Sequence, residues 1–300
     1  MYNSRLFLPL LSVVASSPFL AAQLVAAHIP VQSEETLKTC TFISGVPYEK
    51  GLKGDLLADL YLPVAEGTHP AVLYIHGGSW SSGDRTQLKR VAVSLAEAGY
   101  IGVAIDYDLK AQGARFPVAL MEAKSAVRWM RANATTYHID PQRIATIGTS
   151  AGGELSAELG LTIDRKAYEK GDNLHQSSAV SAVGVLNGVL DLTDLGEYAS
   201  MANGYLGDSC EKELEACHEA SPVFLVHPGE PPFFVGHGTA DQIVPYRQAV
   251  LFIQRLEANH VPVTVFVAEG AKHTYWGNSR WFQPNVDALK KFLAQAFSSQ

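Results

Sequence analysis

Gly148-Thr149-Ser150-Ala151-Gly152-Gly153 is the stretch whose reading decides the fold of this chain. It fits the pattern G-x-S-x-G, and its flanks give the pattern meaning. Arg143-Ile144-Ala145-Thr146-Ile147 reads as a short buried strand, and the run from Glu154 to Leu159 reads as a helix. A strand that turns at once into a helix holds its central residue in a strained backbone conformation, and glycines on both sides remove the Cβ atoms that would clash. The Ser150 hydroxyl is then presented to solvent. The backbone N–H of Ala151, at the helix start, faces any negative charge that develops beside it. Similar small-residue strings occur in ordinary turns, so the weight rests on the strand before and the helix after.

Working outward, Ala71 to Ile75 and Ile101 to Ile105 are continuous apolar runs of the kind found in strands covered on both faces. Helices are expected over Gln87 to Ala98, from about Pro117 to Asn133, over Tyr246 to Ala258 and over Pro284 to Phe297. Strands are expected at Val180 to Val185, Phe233 to Val235 and Pro262 to Ala268. An antiparallel entry precedes them, Cys40 to Ile43 and Leu56 to Leu62 joined through residues 51–55. Strand and helix in alternation predict an α/β fold with a mostly parallel central sheet and helices on both faces. The segment 191–222 is too long for a tight connection and reads as a short cap-like excursion over the active-site edge. The helix bearing Lys124, Arg128 and Arg131 reads as a solvated, ion-paired face.

A serine hydroxyl needs a base, a group to orient that base and donors for the oxyanion. His273 follows the last strand and Asp241 the strand before it, each at a strand end from which it reaches toward Ser150. Asp191 and Asp194 offer a second position for the acid, after the strand that precedes the excursion. His76 and His237 flank glycines and read as local hydrogen-bonding groups. In His76-Gly77-Gly78 the backbone runs free of side chains, so an N–H of Gly77 or Gly78 joins that of Ala151 as an expected oxyanion donor. Trp80, Tyr275 and Trp276 adjoin the oxyanion loop and the base and are candidates for the substrate pocket.

The motifs HGGSW (76–80), GTSAGG (148–153), GTADQIVP (238–245) and GAKHTYW (270–276), with RFPVALMEAKSAVRWMRANATTYHIDPQRI between them, resemble the α/β-hydrolase superfamily. Within it they resemble the carboxylesterases of the bacterial feruloyl and acetyl-xylan esterase-like (BD-FAE) group and the related hormone-sensitive-lipase-like esterases. The resemblance runs from about Cys40 to the C-terminus. It implies a serine carboxylesterase with Ser150 as nucleophile, Asp241 and His273 as partners, and Gly77, Gly78 and Ala151 as oxyanion donors. Short-chain or aromatic acyl esters are the implied substrates, acetyl-xylan and feruloyl esters among them. Three positions depart from those relatives: Ser79 for a third glycine, Glu154 where His is frequent, and Asp108 where Arg is frequent. An amidase, formamidase or exopeptidase would use the same triad, and a non-catalytic binding module on this fold is a further alternative.

The charge of −7 over 300 residues argues against a nucleic-acid surface. No cluster has metal-ligand spacing and no Gly-rich loop follows a phosphate or dinucleotide pattern, so no cofactor and no metal is expected. The expected partner is a small-molecule or carbohydrate-linked ester. Residues 1–27 read as a secretory signal with cleavage after Ala27, leaving residues 28–300 as a single domain, secreted or periplasmic, with no membrane anchor. Export makes a Cys210–Cys217 disulfide the natural pairing, with Cys40 a buried thiol. Seven residues along a straight helix separate Cα atoms by roughly 10 Å, so this bridge requires a bend in 211–216.

Overall fold

The strand that ends at the serine, β6 (Ile139–Thr149), lies near the middle of one sheet. The structure, a computed structural model, describes residues 33–36, 39–163 and 165–298. The expected leader 1–27 and its boundary lie outside the described residues. The entry strands β1 (Ser33–Thr36), β2 (Cys40–Gly51) and β3 (Gly54–Pro63) are antiparallel. β2 runs well past the expected Ile43 because two register irregularities, at Ile43/Val46 and Pro47/Glu49, carry it across Pro47, which has no N–H to donate. β3 pairs antiparallel with β5 (Ile101–Ile105). From there β4 (His69–Ile75), β6, β7 (Ala182–Leu186), β8 (Phe233–Gly238) and β9 (Val263–Ala268) run parallel. The order among the described residues is β1-β2-β3-β5-β4-β6-β7-β8-β9.

Every residue of β5 and β7 is buried, which explains why neither shows a period of two. Helices cover both faces. On one, α1 (Lys89–Ala96) packs against α8 (Ser279–Ser298), and Val91, Leu95, Leu289 and Phe292 meet Val72, Tyr74 and Ile147 from the strands. On the other, α2 (Val118–Ala132) packs against α4 (Ala151–Leu161), where Thr146 meets Ser156 at 3.0 Å. α3 (Ala134–Tyr137) is one short turn, and α7 (Tyr246–Ala258) has the expected bounds. α8 starts five residues before Pro284. Asn278 accepts a bond from the Arg280 N–H at 2.9 Å, and Trp281 and Phe282 pack against the core, so tertiary contacts carry the helix across the proline.

One surface expectation is overturned. Lys124 and Arg128 are fully buried, because the polar stretch after α4 folds back over α2 and supplies their acceptors. Lys124 Nζ reaches Thr162 O (2.9 Å), Ser178 Oγ (3.2 Å) and Glu169 Oε1 (3.0 Å). Arg128 bonds Asp172 O at 2.9 Å and pairs with Glu169. Arg131 donates to the carbonyls of Pro141, Ser177 and Ala179. Burial pushes the Lys124 ammonium down from its ordinary value.

The excursion carries α5 (Ala199–Leu206) and α6 (Leu214–Glu219). Residues 210–213 form a turn, with Lys212 and Glu213 N–H both bonded to Ser209 O, and the helix begins only at Leu214. That is the bend a bridge requires. The Cys210 and Cys217 Cα atoms stand 5.3 Å apart and the disulfide is formed, while Cys40 is a buried free thiol. Among the described residues no helix is long and apolar enough to cross a membrane.

Candidate active site

Ser150 stands between β6 and α4 at φ 55°, ψ −121°, a conformation L-residues rarely adopt. Its surroundings leave little choice. A Cβ on Gly152 would lie 2.2 Å from Ile75 O, and one on Gly148 would lie 1.9 Å from Gly152 O. Ser150 N–H donates to Leu186 O at 3.0 Å, which ties the turn to the end of β7.

The loops after β8 and β9 bring the other two residues to it. His273 Nε2 is 3.0 Å from Ser150 Oγ, and His273 Nδ1 is 2.7 Å from Asp241 Oδ2. A carboxylate only accepts, so Nδ1 carries the proton and Nε2 is left to accept from the serine hydroxyl. The other Asp241 oxygen accepts from Ile243 N–H (2.9 Å) and Val244 N–H (3.0 Å). His237 Nε2 donates to Val244 O at 2.9 Å and lies 3.3 Å from Asp241 Oδ2. Burial alone would push the Asp241 carboxyl up, but the bonds from His237, His273 and Val244 hold it well below the usual range.

The rival acids are engaged elsewhere. Asp191 closes its own turn through Thr193, and Asp194 holds Arg247 in a two-pronged pair, both contacts at 2.6 Å. His76 stacks on Tyr107 with ring centroids 4.3 Å apart and bonds Gly77 O through Nδ1 (2.8 Å). Burial pushes its imidazole below the ordinary value.

The oxyanion side needs one correction. Gly77 N–H donates to Gln87 Oε1 at 2.7 Å, so it is not available to a substrate. Among the described residues no acceptor is paired with the N–H of Gly78 or Ser79. The pocket at Ser150 is lined by Ser79, Trp80, Val189, Leu195, Met201 and Val244. The free pair is therefore shifted one residue along the chain from the expected Gly77 and Gly78. Gly78 sits at φ 122° in a tight turn where a Cβ would lie 2.1 Å from Ser82 O, and Ser79 and Trp80 follow at φ 53° and 56°. Ala151 opens α4, where the first N–H groups have no partner within the helix.

Of the three pocket aromatics expected, only Trp80 borders the serine. Tyr275 and Trp276 turn into the core, where Tyr275 OH donates to Asn285 Oδ1 at 3.0 Å. Asn187, which sequence reasoning missed, lies against the His273 ring with Nδ2 3.4 Å from both ring nitrogens, and its own φ is 44°. An Asn-Gly pair directly after an apolar strand was the available signal. Gln87, also missed, carried none, because only the folded chain brings it to Gly77. Among the described residues no group of three or more His, Cys, Asp or Glu side chains is arranged to hold a metal ion.

A parallel sheet that delivers serine, aspartate and histidine in this chain order from the ends of β6, β8 and β9 places the molecule among the α/β-hydrolases. Residues 58–256 match the model of the BD-FAE family, and the chain belongs to that family. It is 32% identical over 78% of its length to the probable carboxylic ester hydrolase LipM of Mycobacterium tuberculosis, and 33% identical over 77% to esterase LipC of the same organism. Those matches cover 56% and 59% of the two relatives, so the chain spans little more than half their length. Among solved structures it is similar to the butyrate-bound esterase Est2 of Thermogutta terrifontis. The TM-score is 0.73 at 25% identity, over 89% of this chain and 95% of that one.

Proposed function

We propose that the protein is a serine carboxylesterase of short-chain acyl esters. The observation that carries this reading is the unbroken contact from Ser150 Oγ through His273 to Asp241, opening on a tight, apolar pocket. In the proposed reaction Ser150 Oγ attacks the ester carbonyl carbon while His273 Nε2 takes its proton. The N–H groups of Ala151, Gly78 and Ser79 receive the charge on the carbonyl oxygen. His273 returns the proton to the departing alcohol, and water then releases the acid from the serine by the same steps.

The pocket is narrow and is bounded by Leu195, Tyr198 and Met201 of the excursion. That favours acetyl to butyryl groups over a feruloyl ring. Similarity to Est2, whose structure holds butyrate, supports the same preference. The carbohydrate-linked acetyl ester stays within this class. The leader at 1–27 supports export and a secreted or periplasmic site of action for the domain that follows.

The test is hydrolysis of p-nitrophenyl acetate, butyrate and octanoate by the wild type beside Ser150→Ala. Activity that falls from acetate to octanoate and vanishes in the mutant is expected. Equal rates for the two proteins, at the level of surface histidines acting on activated esters, would remove the reading.

A further inference from the structure

Against the loop that carries Gly78, Ser79 and Trp80 (the oxyanion loop) lies a fully buried group of side chains that the proposed reaction does not use. Glu154 and Glu158, one turn apart on α4, are both wholly excluded from solvent. Glu154 Oε2 accepts from the Trp80 indole N–H at 3.0 Å. The indole in turn stacks face to face on Tyr205 of α5, with ring centroids 4.4 Å apart and planes 4° from parallel. The Trp80 carbonyl accepts from Lys110 N–H at 2.8 Å, and Lys110 Nζ reaches Met201 O on α5 at 2.7 Å.

Ser79 and Trp80 are two successive non-glycine residues in the left-handed region. Such residues persist only where their surroundings over-determine them. Trp80 Nε1–H to Glu154 is the polar contact that fixes the indole, and the indole fixes the backbone next to Ser79, whose N–H has no acceptor among the described residues and which borders Ser150 in the pocket. We propose that Glu154, working as a carboxyl pair with Glu158, is the positioning residue of the oxyanion loop and the post to which the excursion helix is tied. The proposal rests on the esterase reading above and names a residue that touches no reacting atom.

The pair accounts for an otherwise costly arrangement. Glu154 Oε1 and both oxygens of Glu158 are buried without a donor. Two ionised carboxylates cannot share such a site, so at least one keeps a proton, and that proton and the equally unpartnered Tyr205 hydroxyl are the donors at hand. Tyr107 and Tyr205 are the titratable neighbours of Glu154; Arg165, Glu219 and the buried Lys124 are the charged neighbours of Glu158 beyond the pair itself, with Tyr168 and Tyr205 beside them. Burial raises both carboxyls, Glu154 to about 8. A carboxyl that holds its proton longer when folded than when unfolded stabilises the fold at low pH. That contribution drains away as pH rises from the ordinary carboxylate range toward the folded value.

Steady-state kinetics on p-nitrophenyl acetate test the positioning role. Glu154→Leu is expected to lower kcat about 30-fold with KM within about threefold, a fraction of what losing a whole oxyanion donor costs. Glu154→Gln keeps an acceptor for the indole and an N–H for Glu158, and is expected to recover most of that loss. Trp80→Phe keeps a ring on Tyr205, deletes the donor, and covers the case in which Glu154→Leu does not fold; the same fall in kcat is expected. Glu154→Leu or Trp80→Phe within about twofold of wild type, or Glu154→Gln falling as far as Glu154→Leu, overturns the proposal. Thermal melts at about pH 6 and about pH 9 test the pair: Glu158→Gln is expected to lose less melting temperature between them than wild type, and equal losses overturn it. A wild type that neither turns over ester nor takes a fluorophosphonate on Ser150 overturns the esterase reading instead, whatever the variants do.

Discussion

Two carboxyl groups shielded from water stand on either side of Ser150, and the fold drives them to opposite states. Asp241, on the histidine side, meets donors from His273, His237, Ile243 and Val244, and is held ionised. Glu154, on the oxyanion side, receives one indole N–H and faces a second carboxyl, so burial pushes it up to about 8. Both are buried, so burial does not set the charge; the number of donors pointed at each group does. Hence, in the proposed reaction, the side that stabilises an imidazolium carries a fixed negative charge, while on the side that stabilises an oxyanion burial works against one.

The largest effect expected from breaking this contrast is at Asp241. Asp241→Asn keeps the shape but offers an N–H where His273 Nδ1 needs an acceptor, which favours the wrong tautomer. A fall of about 10⁴-fold in kcat is expected, the size seen for that change in a well-studied serine protease. Ester hydrolysis measures it. Loss of less than about tenfold would mean that another acid, Asp191 or Asp194, takes over. The carboxyl lies below its unfolded value, so its stabilising contribution is complete above the ordinary carboxylate range and is lost as pH falls toward the folded value. Thermal melts of Asp241→Asn should therefore lose part of the wild-type decline in acid.

The chain order Ser150, Asp241, His273 was legible because each residue lies at or shortly after the end of an apolar strand, and a parallel sheet gathers strand ends on one edge. What the sequence did not carry was who occupies whom. Gly77 looked free until Gln87, ten residues on, proved to hold its N–H. Tyr275 and Trp276 sit beside His273 in sequence, yet a turn into the core takes both from the pocket. Lys124 and Arg128 looked solvated because amphipathic spacing says which face is polar and not whether a later segment covers it. Glu154 showed only as a departure from relatives, since its partner Trp80 lies 74 residues away.

The same rule extends to buried cations. Glu169 pairs with both Lys124 and Arg128, whose side chains are fully buried while its own is a quarter exposed. Glu169→Ala leaves those cations only carbonyls and a hydroxyl. Water reaching the exposed side tempers the loss, so about 3 kcal/mol of stability is expected, at the low end for breaking a buried pair. Denaturant melts measure it. The loss should shrink in alkali, where Lys124, already lowered by burial, discharges first.

A smaller effect sharpens the contrast from the excursion. Cys210→Ser with Cys217→Ser opens a short loop and is expected to cost about 2 kcal/mol, concentrated in 191–222. The excursion carries Tyr205 against Trp80 but supplies no donor to Asp241. KM for p-nitrophenyl butyrate should therefore rise a few-fold while the acid limb of the kcat profile stays put. A shifted limb would mean that the two sides of Ser150 are not separable.

The smallest effect isolates the backbone of the oxyanion loop from its indole anchor. Gln87 Oε1 holds Gly77 N–H at 2.7 Å, and Gly77 O accepts from His76 Nδ1 at 2.8 Å, so the residue before the free N–H groups is pinned at both ends. Gln87→Ala removes one of those pins and lets water take the place of the amide, since Gln87 is not fully enclosed. A net loss of about 1 kcal/mol is the usual worth of such a bond, which is about fivefold in kcat. Gln87→Glu keeps the acceptor and should lose less. If Gln87→Ala instead matches Glu154→Leu, the loop is held from its glycine end as firmly as from its indole.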